Sequence, residues 1–394
     1  MLRLATAALT VAMLTAAPTA GAIVIGAGPA AGAEIGHVSR AGGVPSGGVR
    51  SESAGSGVPG YQTVSDGTDG KVAGAAIENL STDSINEVAD AAEQLRATGM
   101  NTIELDDWWE VPAANADTVE PYVGTVPDAV LEDEISVARA AGLSVVLTPL
   151  IYCNGCLGSF RGVMAPANHQ AFFASYSSFM DHFAGLAQAS GVSTLFVGSE
   201  MSSLEADTAR WMSVIAGARR EFHRTLVYEE DWSVLGQARF LGAVDEIGVS
   251  GYFPLDGSAS PSLHQLLGDW RSSSMAAWRA RNWVSALAAL SARYHRPIVF
   301  GESGYLSGDY AAAQPFLNYY STPNEGLQAD LYQALLETFE PYSWWKGVIW
   351  WDWSASPDAP AANGRTFTSK SAQVMLTCWY AEGMRPDNPS EALP

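Results

Sequence analysis

Eight short runs of β-branched and apolar residues, each followed by a stretch with helical spacing, restrict the fold of this chain more than any other feature. The runs are Val72 to Ile77, Thr102 to Leu105, Ser144 to Leu150, Thr194 to Val197, Thr225 to Tyr228, Glu246 to Val249, Ile298 to Gly301 and Gly347 to Trp351. After the first, Ile85, Val88, Ala89, Ala92 and Leu95 recur with helical periodicity and Gly99 supplies a stop; Leu331, Ala334, Leu335 and Phe339 do the same after the seventh. Short apolar strands separated by helices are buried on both faces, as in parallel sheets. Eight such units predict an α/β fold, a single closed (β/α)8 TIM barrel. An open doubly wound sheet is the alternative, but it carries a Gly-rich phosphate turn after its first strand, and GAAIEN is not one. GAGPAAG near Gly26 precedes every predicted strand and so carries no dinucleotide fingerprint.

The flanks differ in composition. Residues 1–22 combine Arg3, an apolar stretch from Leu4 to about Ala17 and a small-residue exit at Ala20-Gly21-Ala22, the pattern of a secretory signal peptide. Residues 23–70 are rich in Gly, Ser, Ala and Pro with almost no large apolar side chains, too few to offset ordering entropy, so a disordered leader is expected. The barrel should then occupy 71–381, with 382–394 as a C-terminal tail. No later segment has about 18 uninterrupted apolar residues, so a secreted, extracellular protein without a membrane span is expected.

The formal charge of -21 makes an anionic surface that repels phosphate backbones and argues against nucleic acid. Thirteen Trp and fourteen Tyr suit a neutral partner such as a sugar, whose C–H faces pack on aromatic rings. Of three cysteines, Cys153 and Cys156 in YCNGC could close a short loop, or one could reach Cys378; a zinc site lacks a second Cys or His pair.

Reactive residues of such a barrel come from the C-terminal ends of its strands. Strand two leads to Asp106, Asp107, Trp108 and Trp109, and strand three to Tyr152 and a loop with Arg161. Strand four delivers Ser199 and Glu200, and strand five Glu229, Glu230, Asp231 and Trp232. Strand six gives Tyr252, strand seven Glu302, and strand eight Trp350, Trp351, Asp352 and Trp353. A rim of carboxylates between aromatic rings suits acetal hydrolysis, which needs one acid to protonate the leaving oxygen and one carboxylate to attack or to activate water. G-x-S-x-G and H-E-x-x-H are both absent, so neither a serine nucleophile nor a metal is expected, and no cofactor is required.

These residues resemble clan A glycoside hydrolases, and within that clan family 113, the endo-β-1,4-mannanases. The resemblance runs in order through SVARAAGLSVVLTPLIY, FRGVMAPANHQAFFASYSSFMDHFA, LFVGSEMSSLE, TLVYEEDW, EIGVSGYFPL, PIVFGESGYLS and GVIWWDW. It implies a retaining hydrolase with Glu200 as general acid/base, Glu302 as nucleophile and Tyr252 as hydrogen-bond donor to the nucleophile. It also implies Trp350 or Trp351 as the floor of the sugar site, Arg161 and Trp232 in neighbouring subsites, and Trp109 as a further sugar-facing ring. Ser199 stands where many clan members have Asn, which leaves the 2-hydroxyl contact unassigned. The implied partner is a polysaccharide or oligosaccharide, β-mannan first, acted on by a monomer. Hydrolysis of another β-glycan and a catalytically inactive carbohydrate-binding barrel are the alternatives.

Overall fold

All eight apolar runs are strands of one parallel sheet, and the sheet closes. The computed structural model describes residues 61–63, 70–77, 85–275, 277, 281–318, 321–354 and 363–386, all within one compact unit, Ser56–Pro394. The strands are β1 Val72–Ile77, β2 Thr102–Val111, β3 Ser144–Cys153, β4 Thr194–Ser199, β5 Thr225–Asp231, β6 Glu246–Ser250, β7 Ile298–Ser303 and β8 Trp345–Trp350. Each pairs in parallel with the next, and β8 pairs with β1 to complete the barrel. The expected signal peptide lies outside the described residues. No helix among the described residues is long and apolar enough to cross a membrane.

Helices cover the outside: α1 Ile85–Ala97, α2 Asp128–Ala140, α3 His169–Ser190, α4 Thr208–Glu221, α5 Leu263–Asp269, α6 Trp283–Tyr294, α7 Glu325–Phe339 and α8 Ser371–Tyr380. One expected helix does not form. Between β5 and β6 the chain makes two 3-10 turns, Trp232–Val234 and Leu241–Ala243. Gly236 at φ +80° interrupts any helical run there, and the Glu230 carboxylate accepts from the backbone N–H groups of Gly236 and Ala238, both at 2.9 Å, in place of helical carbonyls.

Alternating side chains divide the core in two. Ala76, Val146, Phe196, Val227, Val299 and Ile349 fill the barrel interior, while the larger cluster lies between strands and helices. At Gly99, φ is +84° and an added Cβ would lie 2.4 Å from the Ala381 nitrogen, so glycine is needed both to stop α1 and to admit the C-terminal segment. Tyr61–Thr63 pairs antiparallel with Met384–Pro386, joining short pieces of the stretches expected to be leader and tail.

β2 and β3 outrun their apolar cores, pairing from Thr102↔Ser144 to Val111↔Cys153. Polar residues within β2 are tolerated because Asp107 Oδ1 accepts from the backbone N–H of Trp108 at 2.8 Å and of Val126 at 2.9 Å. These longer strands raise one wall of the barrel mouth.

Candidate active site

Glu200 and Glu302, distant in sequence, line one cleft of about 680 Å³ at the C-terminal end of the barrel. Trp108, Phe160, Trp232, Phe316 and Trp351 supply its aromatic walls, and Arg161, Asp231, Tyr252, Asn318 and Arg365 its polar ones.

Glu302 is the last residue but one of β7, and the Tyr252 hydroxyl donates to its Oε1. Burial and the neighbouring Glu302 carboxylate raise the Tyr252 phenol well above its ordinary range, so it stays protonated as a donor. Gly301, just before Glu302, leaves room for Glu229 and Phe196: an added Cβ would sit 2.5 Å from Glu229 Oε1 and 2.6 Å from the Phe196 ring.

Glu200 follows β4 with φ +52°. Burial raises its carboxyl to about 7; Arg161, with Nη2 3.3 Å from Oε2, pulls against that rise, while Glu302 and Asp231 add to it. Below the two glutamates lie two further carboxyls. Glu229 accepts from Ser199 Oγ at 2.7 Å and is raised well above the usual range by burial, Glu302 and Glu200. Glu104 on β2 accepts from Thr148 and is raised to about 8, chiefly by burial. The cleft thus holds both a carboxyl, Glu200, raised to about 7 and a second carboxyl, Glu302, that accepts from a phenol. Acid catalysis and nucleophilic attack on an acetal need such a pair.

The structure brings Glu200, Glu302, Tyr252, Arg161, Trp232 and Trp351 to the cleft, but not three other predicted residues. Trp350 faces outward, fully buried, stacked on Tyr332 at 4.2 Å, with its Nε1 donating to the Tyr380 hydroxyl at 3.3 Å. Trp351, just past β8, turns instead to the interior side with Ile349 and lines the cleft. Trp109 likewise packs on α3, 5.3 Å from the Phe179 ring and 5.8 Å from Phe183, and its neighbour Trp108 faces the cleft. Ser199 is buried behind Glu200, bonded to Arg161 and Glu229.

Glu104, Phe316, Asn318 and Arg365 were not legible from strand ends. Glu104 sits inside β2, where alternation from Trp108 could have found it; the others lie on long connections after β7 and β8. Arg365 covers the Tyr252 ring at 5.2 Å and donates to the Asn318 side chain. Cys153 is bonded to Cys156, and Cys378 is free. Among the described residues no group of three or more His, Cys, Asp or Glu could hold a metal ion.

The sequence matches Glycoside Hydrolase Family 113 over residues 82–369. No curated protein sequence matches it. Among solved structures, the GH113 β-mannanase AaManA from Alicyclobacillus acidocaldarius in complex with ManMIm is similar at 23% identity with TM-score 0.68, covering 80% of this chain and 99% of that one. A complex of a GH113 β-1,4-mannanase gives 23% identity and TM-score 0.67, covering 79% and 99%. A β-glucuronidase from Ruminococcus gnavus gives 13% and 0.53, covering 78% and 50%. At these identities the structures speak for the barrel, while the sequence match spans most of it and includes both rim glutamates. The chain is an O-glycoside hydrolase and belongs to glycoside hydrolase family 113.

Proposed function

We propose that the protein is a secreted, monomeric endo-β-1,4-mannanase that retains anomeric configuration by double displacement. The observation that carries this reading is the convergence of Glu200 and Glu302 on one aromatic-walled cleft in unlike surroundings. The solved family members similar to this chain are described as β-1,4-mannanases, which supports mannan as substrate.

In the first step a Glu302 carboxylate oxygen attacks the anomeric carbon as the glycosidic C–O bond breaks. The bonding pair goes to the departing oxygen, which takes the proton of Glu200. Water then attacks the same carbon, Glu200 removes its proton, and Glu302 leaves with the ester bonding pair. Trp351 offers a ring face for the sugar at the cleavage point, and Trp232, stacked on Phe316 at 5.3 Å, offers another further along the cleft.

Proton NMR of the products from a β-mannan oligosaccharide series tests mannan specificity, endo cleavage and retention together: internal cuts with β-anomers appearing first are expected. Release of reducing ends only from cellulose, xylan or β-1,3-glucan would reassign the glycan, and first-formed α-anomers would remove the double displacement. Azide added to Glu302→Ala should yield an inverted glycosyl azide. Full activity in Glu302→Gln would remove the assignment. Export is tested by N-terminal sequencing of the protein from culture medium, with a mature start near residue 23 expected.

A further inference from the structure

One arginine holds Glu200 through two neighbouring groups. Arg161, itself buried, opens the 3-10 turn Arg161–Val163 on the β3–α3 connection. Its Nε donates to the Ser199 carbonyl and its Nη2 to Ser199 Oγ, both at 2.7 Å, and Nη2 also lies 3.3 Å from Glu200 Oε2. Ser199 Oγ, which accepts from Arg161, in turn donates a hydrogen bond to Glu229 Oε2 at 2.7 Å. The turn so gripped is the one at which Glu200 takes φ +52°, a conformation a glutamate keeps only when its surroundings impose it. Gly162 closes the grip from the other side, since a Cβ there would come within 2.9 Å of the Glu200 carbonyl oxygen. The connection that carries Arg161 is tied near its start by the Cys153–Cys156 disulfide.

We propose that Arg161 is the positioning residue of Glu200: by holding both polar atoms of Ser199 it fixes the turn from which Glu200 projects, and its guanidinium is the counter-charge on which the Glu200 carboxylate rests. The role rests on reading Glu200 as acid/base. It differs from a subsite role because Nε and Nη2 are committed to protein acceptors. Glu302, Asp231, Glu229, Tyr252 and the Ser250 hydroxyl face Glu200 from β5, β6 and β7, and Glu104 and Asp106 face Arg161 from β2. Against these carboxylates Arg161 is what lets Glu200 release a proton to the leaving oxygen and recover it from water near neutral pH.

The test is a carbon-13 NMR titration of the Glu200 carboxyl, assigned with Glu200→Gln, in wild type, Arg161→Met and Arg161→Lys, beside pH profiles of kcat/KM. In Arg161→Met the midpoint should rise by about one unit, the alkaline limb should move with it, and kcat should fall with KM nearly unchanged. In Arg161→Lys, which keeps the charge but cannot bridge both Ser199 atoms, the midpoint should return close to wild type while kcat stays low. An unmoved midpoint in Arg161→Met, or in either variant a raised KM with wild-type kcat and an unmoved limb, overturns the proposal. The titration needs no substrate, so a raised midpoint in a protein that cleaves no mannan would sink the mannanase reading and leave the positioning role standing.

Discussion

Strands β4 and β7 each lead a glycine-containing apolar run to a glutamate at the same rim, but the two carboxyls are held differently. Glu302 lies within its strand, where the pairing shifts register, and takes a hydrogen bond from a phenol. Glu200 stands just past its strand, in a left-handed turn against a buried cation, with its carboxyl raised to about 7. In the double displacement proposed above, the same side chain is thereby directed to two tasks by its neighbours, one kept ready to attack and the other ready to give and take a proton. A barrel makes this separation cheap to arrange, because each strand end brings its own loop to the common rim.

The largest effect that could break this comparison is removal of the proposed nucleophile. Glu302→Ala should lower kcat/KM by roughly four to six orders of magnitude, as loss of a nucleophile does elsewhere, measured on β-mannan by reducing-end release. Glu200→Ala should cost about 10²- to 10⁴-fold on polysaccharide. It should cost much less on aryl glycosides with good leaving groups; equal losses on both would make the two glutamates interchangeable and end the contrast. In the wild type, kcat/KM should decline as pH rises through about 7, because the acid must be protonated and its carboxyl lies near that value.

Tyr252→Phe sharpens the β7 side. A hydrogen bond to a charged group contributes about 1.5–3 kcal/mol, and if that is needed in the transition state a loss of roughly 10- to 150-fold in kcat is expected. The smallest effect concerns stability on the β4 side. Glu205, just beyond Glu200, accepts from the Tyr228 hydroxyl at 3.1 Å, and burial raises its carboxyl to about 8, with Glu230 adding to the rise. The native state therefore binds this proton more tightly than the unfolded chain does. The stabilisation is fully present below the ordinary glutamate range and is lost as pH rises through about 8. Tm should fall between pH 5 and 8, and Glu205→Gln should flatten that fall; an unchanged slope in calorimetry would count against the assignment.

Much of the fold was readable because apolar periodicity survives in the linear sequence. The eight strands stand where their runs predict, and the rim residues follow from where those runs stop. The end of β2 was not readable, because Asp107 looks like a loop residue until its hydrogen-bond partners are known. The Trp pairs teach the same lesson. Trp108 and Trp109, or Trp350 and Trp351, are equivalent as text, and only strand register sends one of each pair to the cleft and the other to the helices.

By itself, then, the order of residues determined the barrel, its chemistry class and the two rim glutamates, because hydrophobic spacing and residue type are local properties of the chain. Tertiary structure alone decided which ring faces the cleft, that Ser199 sits behind Glu200, and that Arg161 and Tyr252 divide the two carboxyls between them. Those outcomes depend on register and on loops meeting across the barrel mouth, through contacts between groups far apart along the chain.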